Sequence, residues 1–211
     1  MAIHVFGLTG GIATGKSTVA ARWCRRRLPV VNADELARVI VAPGSAGLGA
    51  VVQLFGPEVL QADESLDRAQ VASRVFAAPK MRLALEAILH PRIQEELELQ
   101  TRALEHRGEV LACYEAPLLV EVGRADSYRP LVVVVADESE QLRRVLSRDG
   151  HKESEVRSRI SAQAPMAEKL AAADVVIENN DSLGELQARA DAVLDEICAR
   201  LGIDSSRYEI A

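Results

Sequence analysis

A glycine-rich segment near the start of the chain limits the fold more than any other feature. It reads Gly-Gly-Ile-Ala-Thr-Gly-Lys-Ser over residues 10–17 and fits the spacing G-x-x-x-x-G-K-S. A short apolar run, Ile3 to Leu8, precedes it and predicts a buried strand, and apolar residues at helical spacing follow Lys16. Strand, glycine loop and helix form the context that a phosphate-binding loop requires. The sequence therefore predicts an α/β domain with a nucleotide site at its first loop.

The residue types in this loop suit the binding of a nucleoside triphosphate. Glycines permit backbone angles that turn successive N–H groups inward, and the following helix N-terminus attracts phosphate. We expect Lys16 to bridge the β- and γ-phosphates, the hydroxyl of Ser17 to complete a Mg²⁺ shell, and Thr18 to cap the helix or contact the α-phosphate. The predicted nucleotide-binding residues of the loop are Gly10, Gly11, Ile12, Ala13, Thr14, Gly15, Lys16, Ser17 and Thr18.

Composition argues against several other classes of protein. The chain has 211 residues, of which 48% are hydrophobic and 27% charged, as expected for one globular domain with insertions. Its net charge of −6 argues against a general nucleic-acid binder. Three isolated cysteines, Cys24, Cys113 and Cys198, fit a reducing cytoplasm better than a disulfide framework. No signal peptide is expected, and no apolar stretch approaches the roughly 18 residues of a membrane span.

Further apolar runs predict the rest of a parallel sheet covered on both faces. Residues 66–107 are predicted to be helical almost throughout, with new segments beginning at Leu66-Asp67, Pro79 and His90-Pro91. So much helix between two strands exceeds a simple crossover and indicates an inserted helical subdomain for the second substrate. Arg25-Arg26-Arg27 is predicted to be a solvated helix end. The other strands are expected over 29–33, 110–114, 131–136 and 173–177, a closing helix over 183–201, and a frayed tail from 204.

Two acidic residues follow predicted strands, where open α/β sheets place their active groups. Asp34, after the second strand, can accept a proton from an attacking hydroxyl or orient it, or can serve as a helix N-cap. Glu115, after the third strand, can hold Mg²⁺ through water or can be a structural carboxylate.

Arg144 and Arg148 lie on one face of a predicted helix. Charge that spreads over a transferring phosphoryl group calls for such cations on a segment able to close. Surface ion pairs with Glu140 or Asp149 are the alternative. A solvated face is predicted for three other arginines, Arg143, Arg157 and Arg159.

Taken together, these motifs resemble the dephospho-CoA kinase family over about residues 1–200. The glycine loop is shared with many kinases, but its combination with His90-Pro91 and Pro117-Leu118-Leu119 is specific to this family. The motifs that carry the resemblance are the loop 8–18, Ala33-Asp34 followed by Leu36-Ala37-Arg38, His90-Pro91, Pro117-Leu118-Leu119 with Glu121, Arg148-Asp149, and the stretch 173–179.

The resemblance implies ATP-dependent phosphorylation of the ribose 3′-hydroxyl of dephospho-CoA, the last step of coenzyme A biosynthesis, by a cytoplasmic transferase. In this resemblance, the family's catalytic aspartate corresponds to Asp34, its loop lysine to Lys16 and a lid arginine to Arg144. Asn179 lies in a stretch that resembles the family's segment packing on the adenine of ATP. His90-Pro91 falls at the start of a helix in the acceptor domain, where the imidazole can contact acceptor phosphate or ribose, or can pack locally. From the residues and the resemblance together, we predict as catalytic residues Asp34, Lys16, Arg144 and Arg148, and as substrate-binding residues Asp34, His90, Pro91, Glu115 and Leu118.

The resemblance also implies one three-layer α/β P-loop kinase domain over 1–211, with a roughly five-stranded parallel sheet. We expect dephospho-CoA as the small-molecule partner, ATP and Mg²⁺ as cofactors, neither nucleic acid nor membrane as a partner, and a monomer or weak homo-oligomer. The expected parts are a core at about 1–59, 109–139 and 169–205, a helical acceptor-binding subdomain at about 60–108, and a lid at about 140–168.

Two residues depart from the family pattern. Asn32 stands where relatives often carry the first aspartate of Asp-x-Asp, and it would weaken metal binding if both carboxylates mattered. Ala13 replaces a common loop glycine, at a position that tolerates a small side chain. Three alternatives stay open. One is a P-loop kinase acting on a nucleoside or nucleoside monophosphate, and another is a nucleotide-dependent switch, against which the lack of the guanine-specifying N-K-x-D counts. The third is a degenerate non-catalytic relative, which only Asn32 suggests.

Overall fold

A parallel β-sheet forms the centre of the computed structural model, which describes residues 2–149 and 153–210 and leaves out the side chains of Ala77, Arg148, Asp149, Ser154, Glu155 and Arg159. All neighbouring strands pair in parallel, and their order is β2 (Val30–Asn32), β3 (Leu111–Glu115), β1 (His4–Gly10), β4 (Leu131–Val135) and β5 (Val175–Glu178). β3 and most of β4 are buried, which is why their apolar residues run on without alternation. The α/β fold predicted from the sequence is confirmed.

Helices connect and flank these strands. The closing helix begins with a reciprocal capping box, in which the side chains of Ser182 and Glu185 each accept a backbone N–H of the other. Among the described residues, no helix is long and apolar enough to cross a lipid bilayer. The helices are α1 (Lys16–Arg25), α2 (Ala33–Val39), α3 (Ala46–Phe55), α4 (Arg68–Ala77), α5 (Pro79–His106), α6 (Glu138–Asp149), α7 (Glu153–Ser161), α8 (Met166–Ala172) and α9 (Leu183–Leu201).

The described chain divides into two compact units, and the first contains the sheet. It comprises Met1–Asn32 with Leu104–Ala211. Its core brings β-strand side chains together with α1 and α9. Trp23 of α1 packs edge-on against Phe6, with ring centroids 5.4 Å apart, and its indole N–H donates to the carbonyl of Ala190 at 2.8 Å. This packing fixes α1, and with it the loop that α1 follows.

The end of the chain packs against this core, so the prediction of a frayed tail is wrong. Residues Ser205–Tyr208 form a short 3₁₀ helix, and the side chain of Tyr208 is only 1% exposed. Arg26 donates to the Tyr208 carbonyl at 2.6 Å and to the carboxylate of Asp195 at 2.5 Å. Arg26 is therefore buried and structural, whereas Arg25 and Arg27 are exposed as predicted.

The second unit, Ala33–Ala103, is helical. It begins well before the predicted subdomain at about 60–108, because α3 and α4 share one apolar cluster with the residues that follow α2. Leu85 and Leu89 of α5 pack against this cluster. The buried members are Ile40, Val41, Leu48, Val51, Phe55, Val59 and Val71.

Helix α5 runs without interruption from Pro79 to His106, so the predicted helix start at His90-Pro91 is wrong. Proline lacks the N–H that an interior helical position uses, and its ring crowds the preceding turn. The guanidinium of Arg92 donates to the carbonyl of Ile88 at 2.7 Å in this turn. The predicted lid, about 140–168, contains most of α6 together with α7; it also contains residues 150–152, which lie outside the described ranges.

Candidate functional site: the phosphate loop and its surroundings

The glycine-rich segment forms the turn that joins β1 to α1, as the sequence predicts. Gly15, with φ of 97°, occupies the left-handed region directly before α1. A Cβ at this position would lie 2.2 Å from Nδ2 of Asn179, so the turn requires glycine on steric grounds as well. Ala13 also adopts a left-handed conformation, with φ of 54°. Within the loop, the hydroxyl of Thr14 donates to the carbonyl of Gly11 at 3.0 Å.

Three side chains converge on the carboxylate of Glu115, at the end of β3. Lys16 places Nζ 2.9 Å from Oε1, and the hydroxyl of Ser17 donates to the same oxygen at 3.3 Å. Asn32, which the strand register places beside Glu115, donates to Oε2 at 2.7 Å. The Glu115 side chain is only 4% exposed, so its charge is compensated by one ammonium group and two neutral donors.

These oxygen atoms fit Mg²⁺ that arrives with a nucleotide. A hydroxyl and a carboxylate are the hard donors that this ion prefers, and Mg²⁺ usually keeps several waters while phosphates supply other ligands. The Ser17 hydroxyl and Glu115 oxygen are already neighbours. Among the described residues, no group of three His, Cys, Asp or Glu side chains could hold a metal ion. The donor set therefore suits a nucleotide-bound ion held by Ser17, with Glu115 acting through water.

Arg144 and Asn179 contact the loop from outside it. Asn179 follows β5, is buried, and donates to the carbonyl of Thr14 at 2.7 Å. Arg144 of α6 donates to the carbonyls of Ala13 at 3.3 Å and Asn179 at 2.8 Å. Both residues therefore hold the loop backbone in its observed shape. Arg144 also forms the alternative ion pair with Glu140, at 3.6 Å. Neighbouring Arg143 pairs with the same carboxylate at 2.7 Å and is exposed, as predicted.

The remaining predicted residues lie in other parts of the chain. Asp34 is exposed in the first turn of α2, which begins at Ala33. His90 and Pro91 are exposed in the interior of α5, and like Asp34 they belong to the second unit. Leu118 follows β3 in the first unit, and its side chain is 46% exposed. The side chain of Arg148 lies outside the described part of the structure.

Three polar residues near the loop were not predicted as site residues. The backbone N–H of Ile12 donates to Oε1 of Gln163 at 2.9 Å, between α7 and α8. Lys169 of α8 is fully buried and forms an ion pair with Glu121. Glu121 is part of a motif that carries the family resemblance, but that motif assigned it no role. Gln163 is a single glutamine at the end of a charged stretch, and nothing in the sequence marks it.

Comparison with known proteins decides the family. A sequence profile of dephospho-CoA kinase matches residues 4–185. The chain belongs to the dephospho-CoA kinase family. A dephospho-CoA kinase of Anaeromyxobacter dehalogenans is 45% identical over 195 residues, covering 92% of each protein. One of Cutibacterium acnes is 43% identical over 201 residues, covering 94% of this chain and 86% of the relative.

Solved structures share this fold, and one of them is a dephospho-CoA kinase. TT1252 from Thermus thermophilus superposes with a TM-score of 0.82 at 36% identity, over 93% of this chain and 99% of that one. The dephospho-CoA kinase from Campylobacter jejuni gives a TM-score of 0.70 at 25% identity, over 93% and 98%. A shikimate kinase from Acinetobacter baumannii, at 14% identity and a TM-score of 0.54 over 94% of each chain, shares the fold.

Proposed function

We propose that this kinase transfers the γ-phosphoryl group of ATP to the ribose 3′-hydroxyl of dephospho-CoA, giving CoA and ADP as the last step of coenzyme A biosynthesis. The observation that carries the proposal is the match of the dephospho-CoA kinase profile to residues 4–185. That stretch includes the phosphate loop, Glu115, Arg144 and Asn179.

Lys16 is the proposed anchor for the triphosphate. Its ammonium group now lies against the Glu115 carboxylate, which also accepts from Ser17 and Asn32. These two neutral donors stay with Glu115 when Lys16 turns to the β- and γ-phosphates, so the buried carboxylate keeps hydrogen-bond partners. Mg²⁺, when bound to the nucleotide, neutralises phosphate charge, and we assign its protein contacts to Ser17 and, through water, to Glu115.

Asp34 is the proposed base. Its carboxylate takes the proton of the 3′-hydroxyl as the ribose oxygen forms its bond to the γ-phosphorus, and the bond from that phosphorus to the β–γ bridging oxygen breaks. ADP leaves with the electron pair of the broken bond. We assign Arg144, and Arg148 one helical turn further along α6, to the charge that develops on the transferring group. Support comes from the contact of Arg144 with the loop carbonyl of Ala13.

The second unit, Ala33–Ala103, is the proposed acceptor-binding region. We assign its exposed His90 and Pro91, together with Glu115 and Leu118 of the first unit, to contacts with dephospho-CoA.

A net charge of −6 supports a small-molecule partner rather than nucleic acid, and we propose a monomer or weak homo-oligomer without a membrane partner. Cys24, Cys113 and Cys198 form no disulfide bonds, which supports a cytoplasmic location. Burial, with a smaller effect of Glu115, raises the pKa of the Cys113 thiol well above its usual value, so this thiol stays protonated.

An acceptor screen tests the proposal. ADP release is measured with ATP in excess and with dephospho-CoA, adenosine or AMP as the acceptor, and the product is identified by mass and by its 3′-phosphate resonance. Dephospho-CoA is expected to react faster than either nucleoside compound by on the order of a hundredfold or more. Equal rates with adenosine or AMP would indicate a nucleoside or nucleotide kinase. ATP binding without transfer to any of the three would indicate a switch protein.

A further inference from the structure

A side chain from the junction between α7 and α8 contacts the phosphate loop. Gln163 lies in this junction, and its Oε1 accepts the backbone N–H of Ile12 at 2.9 Å. The N–H groups of such a loop otherwise turn toward phosphate. Here, the N–H at the third position of the loop is bound by a glutamine that stands far away in the sequence.

This hydrogen bond lies next to the strained residue of the loop. Ala13 has a φ of 54°, a left-handed conformation that alanine adopts at a steric cost and glycine does not. Such a conformation persists only where neighbouring contacts hold it. The preceding residue is held by Gln163, and the Ala13 carbonyl itself accepts from Arg144 at 3.3 Å. The strained alanine is thus held on both sides by side chains from outside the loop.

The position of Gln163 is in turn fixed by a buried ion pair. The N–H of the next residue, Ala164, donates to the carboxylate of Glu121 at 3.1 Å. Glu121 pairs with Lys169, which is 0% exposed and also approaches the carbonyl of Pro117 at 3.4 Å. The junction is therefore attached to the segment that follows β3, and the glutamine side chain extends from a fixed base.

We propose that Gln163 is a positioning residue of the phosphate loop, which holds Ile12 so that Ala13 keeps the left-handed conformation needed to bind the triphosphate. Gln163 binds the loop and not the nucleotide, so it acts on ATP affinity rather than on the chemical step. The inference rests on the proposed function, because it takes the loop to be the ATP site. This role of Gln163 also explains why the chain tolerates Ala13. A glycine at that position adopts the left-handed conformation without support from a neighbouring side chain.

A double-mutant comparison tests the role. Gln163→Leu removes the acceptor and is expected to weaken ATP binding, measured by calorimetry without dephospho-CoA, by roughly fivefold. The KM for dephospho-CoA and kcat should stay within about twofold. Ala13→Gly removes the steric cost, so in that background Gln163→Leu should weaken ATP binding by less than about twofold. A general loss of stability would not be repaired by this glycine.

Two further variants control the measurement. Gln100→Leu makes the same change on α5, where Gln100 donates to Glu96 at 2.9 Å, and ATP affinity should be unchanged. If Gln163→Leu does not fold, Gln163→Asn keeps an amide that is too short to reach Ile12, and it should reproduce the loss. Unchanged ATP affinity in the Gln163 variants, or an equal loss in the wild-type and Ala13→Gly backgrounds, would overturn the proposal. Failure of the proposed function is a separate result: ATP binding would still depend on Gln163, but wild-type protein would not phosphorylate dephospho-CoA.

Discussion

Two lysine–glutamate pairs involve the chain that leaves β3, and they differ in what surrounds the charges. Lys16 meets Glu115, and Lys169 meets Glu121. The side chain of Lys16 is 13% exposed, whereas that of Lys169 is completely buried. Glu115 accepts hydrogen bonds from two more side chains, while Oε2 of Glu121 has no hydrogen-bond partner within the described ranges.

This difference predicts that only the first pair can exchange partners. If Lys16 turns to phosphate, as proposed, Glu115 keeps Ser17 and Asn32 as hydrogen-bond donors. If Lys169 is lost, Glu121 keeps the N–H of Ala164 as its hydrogen-bond donor, and a poorly compensated charge is left partly buried. We therefore propose that the Lys16–Glu115 pair serves ligand binding, whereas the Lys169–Glu121 pair serves stability.

The largest expected effect is the loss of protein stability when the Lys169–Glu121 pair is broken. Lys169→Met should lower the free energy of unfolding by about 3–5 kcal/mol, because removing one partner leaves the Glu121 carboxylate uncompensated. Thermal unfolding without ligand should show a Tm lower by roughly 6–20 °C. Lys16→Met is the matched control and should cost only about 1–2 kcal/mol, since two donors to Glu115 remain. Equal destabilisation by the two substitutions would contradict the comparison.

In activity, unlike in stability, Lys16→Met should be the more damaging of these two substitutions. Lys16→Met removes the cation proposed to bind the β- and γ-phosphates, and kcat/KM for ATP should fall by about 10²–10³-fold, or roughly 3–4 kcal/mol. Steady-state ADP release at a temperature where both variants are folded provides the measurement. The folded Lys169→Met variant is expected to lose much less activity than Lys16→Met. An equally large loss of activity would show that the two pairs do not differ in function.

A smaller effect is expected from Asn32→Asp. The amide of Asn32 donates to Glu115 at 2.7 Å, so an aspartate would replace a donor by a second negative charge. We expect a loss of about 1.5–3 kcal/mol in the free energy of unfolding by urea. Asn180→Asp, the same change at an exposed residue, should stay within about 0.5 kcal/mol. Stability unchanged by Asn32→Asp would show that Asn32 does not hold Glu115.

Local sequence signals predicted the sheet and the loop because their determinants are local. A buried parallel strand such as Leu131–Val135 is a continuous apolar run, and the loop is defined by glycine spacing. Helical spacing indicated Arg144, the resemblance to a family added Asn179, and both contact the loop. Their roles in the reaction stay predictions, as do those of Asp34, His90 and Leu118.

Other features depend on partners that are distant in the sequence. Gln163 contacts Ile12 only because α7 and α8 return to the loop, and no periodicity marks such a residue. Tyr208 is buried by Arg26 and the core, although its own segment is polar and resembles a frayed end. Pro91 lies inside α5 because tertiary packing outweighs its preference for a helix start.

Asn32 shows how structure changes the meaning of a departure from the family pattern. The sequence indicates a missing carboxylate and thus weaker metal binding. The structure shows an amide that donates to Glu115, a contact that a carboxylate at this position would not make. The unfolding of the Asn32→Asp variant tests whether this amide holds Glu115.

The turnover of Asp34→Asn tests the central claim most directly. The amide has the shape of the carboxylate but cannot take the proton of the 3′-hydroxyl, so kcat with dephospho-CoA should fall by about 10²–10⁴-fold while the Kd for ATP stays within about twofold. Glu35→Gln, the same kind of change at the adjacent exposed acid in the first turn of α2, should leave kcat within about twofold. Near-normal turnover in Asp34→Asn, or an equal loss in Glu35→Gln, would contradict the assignment of Asp34 as the base.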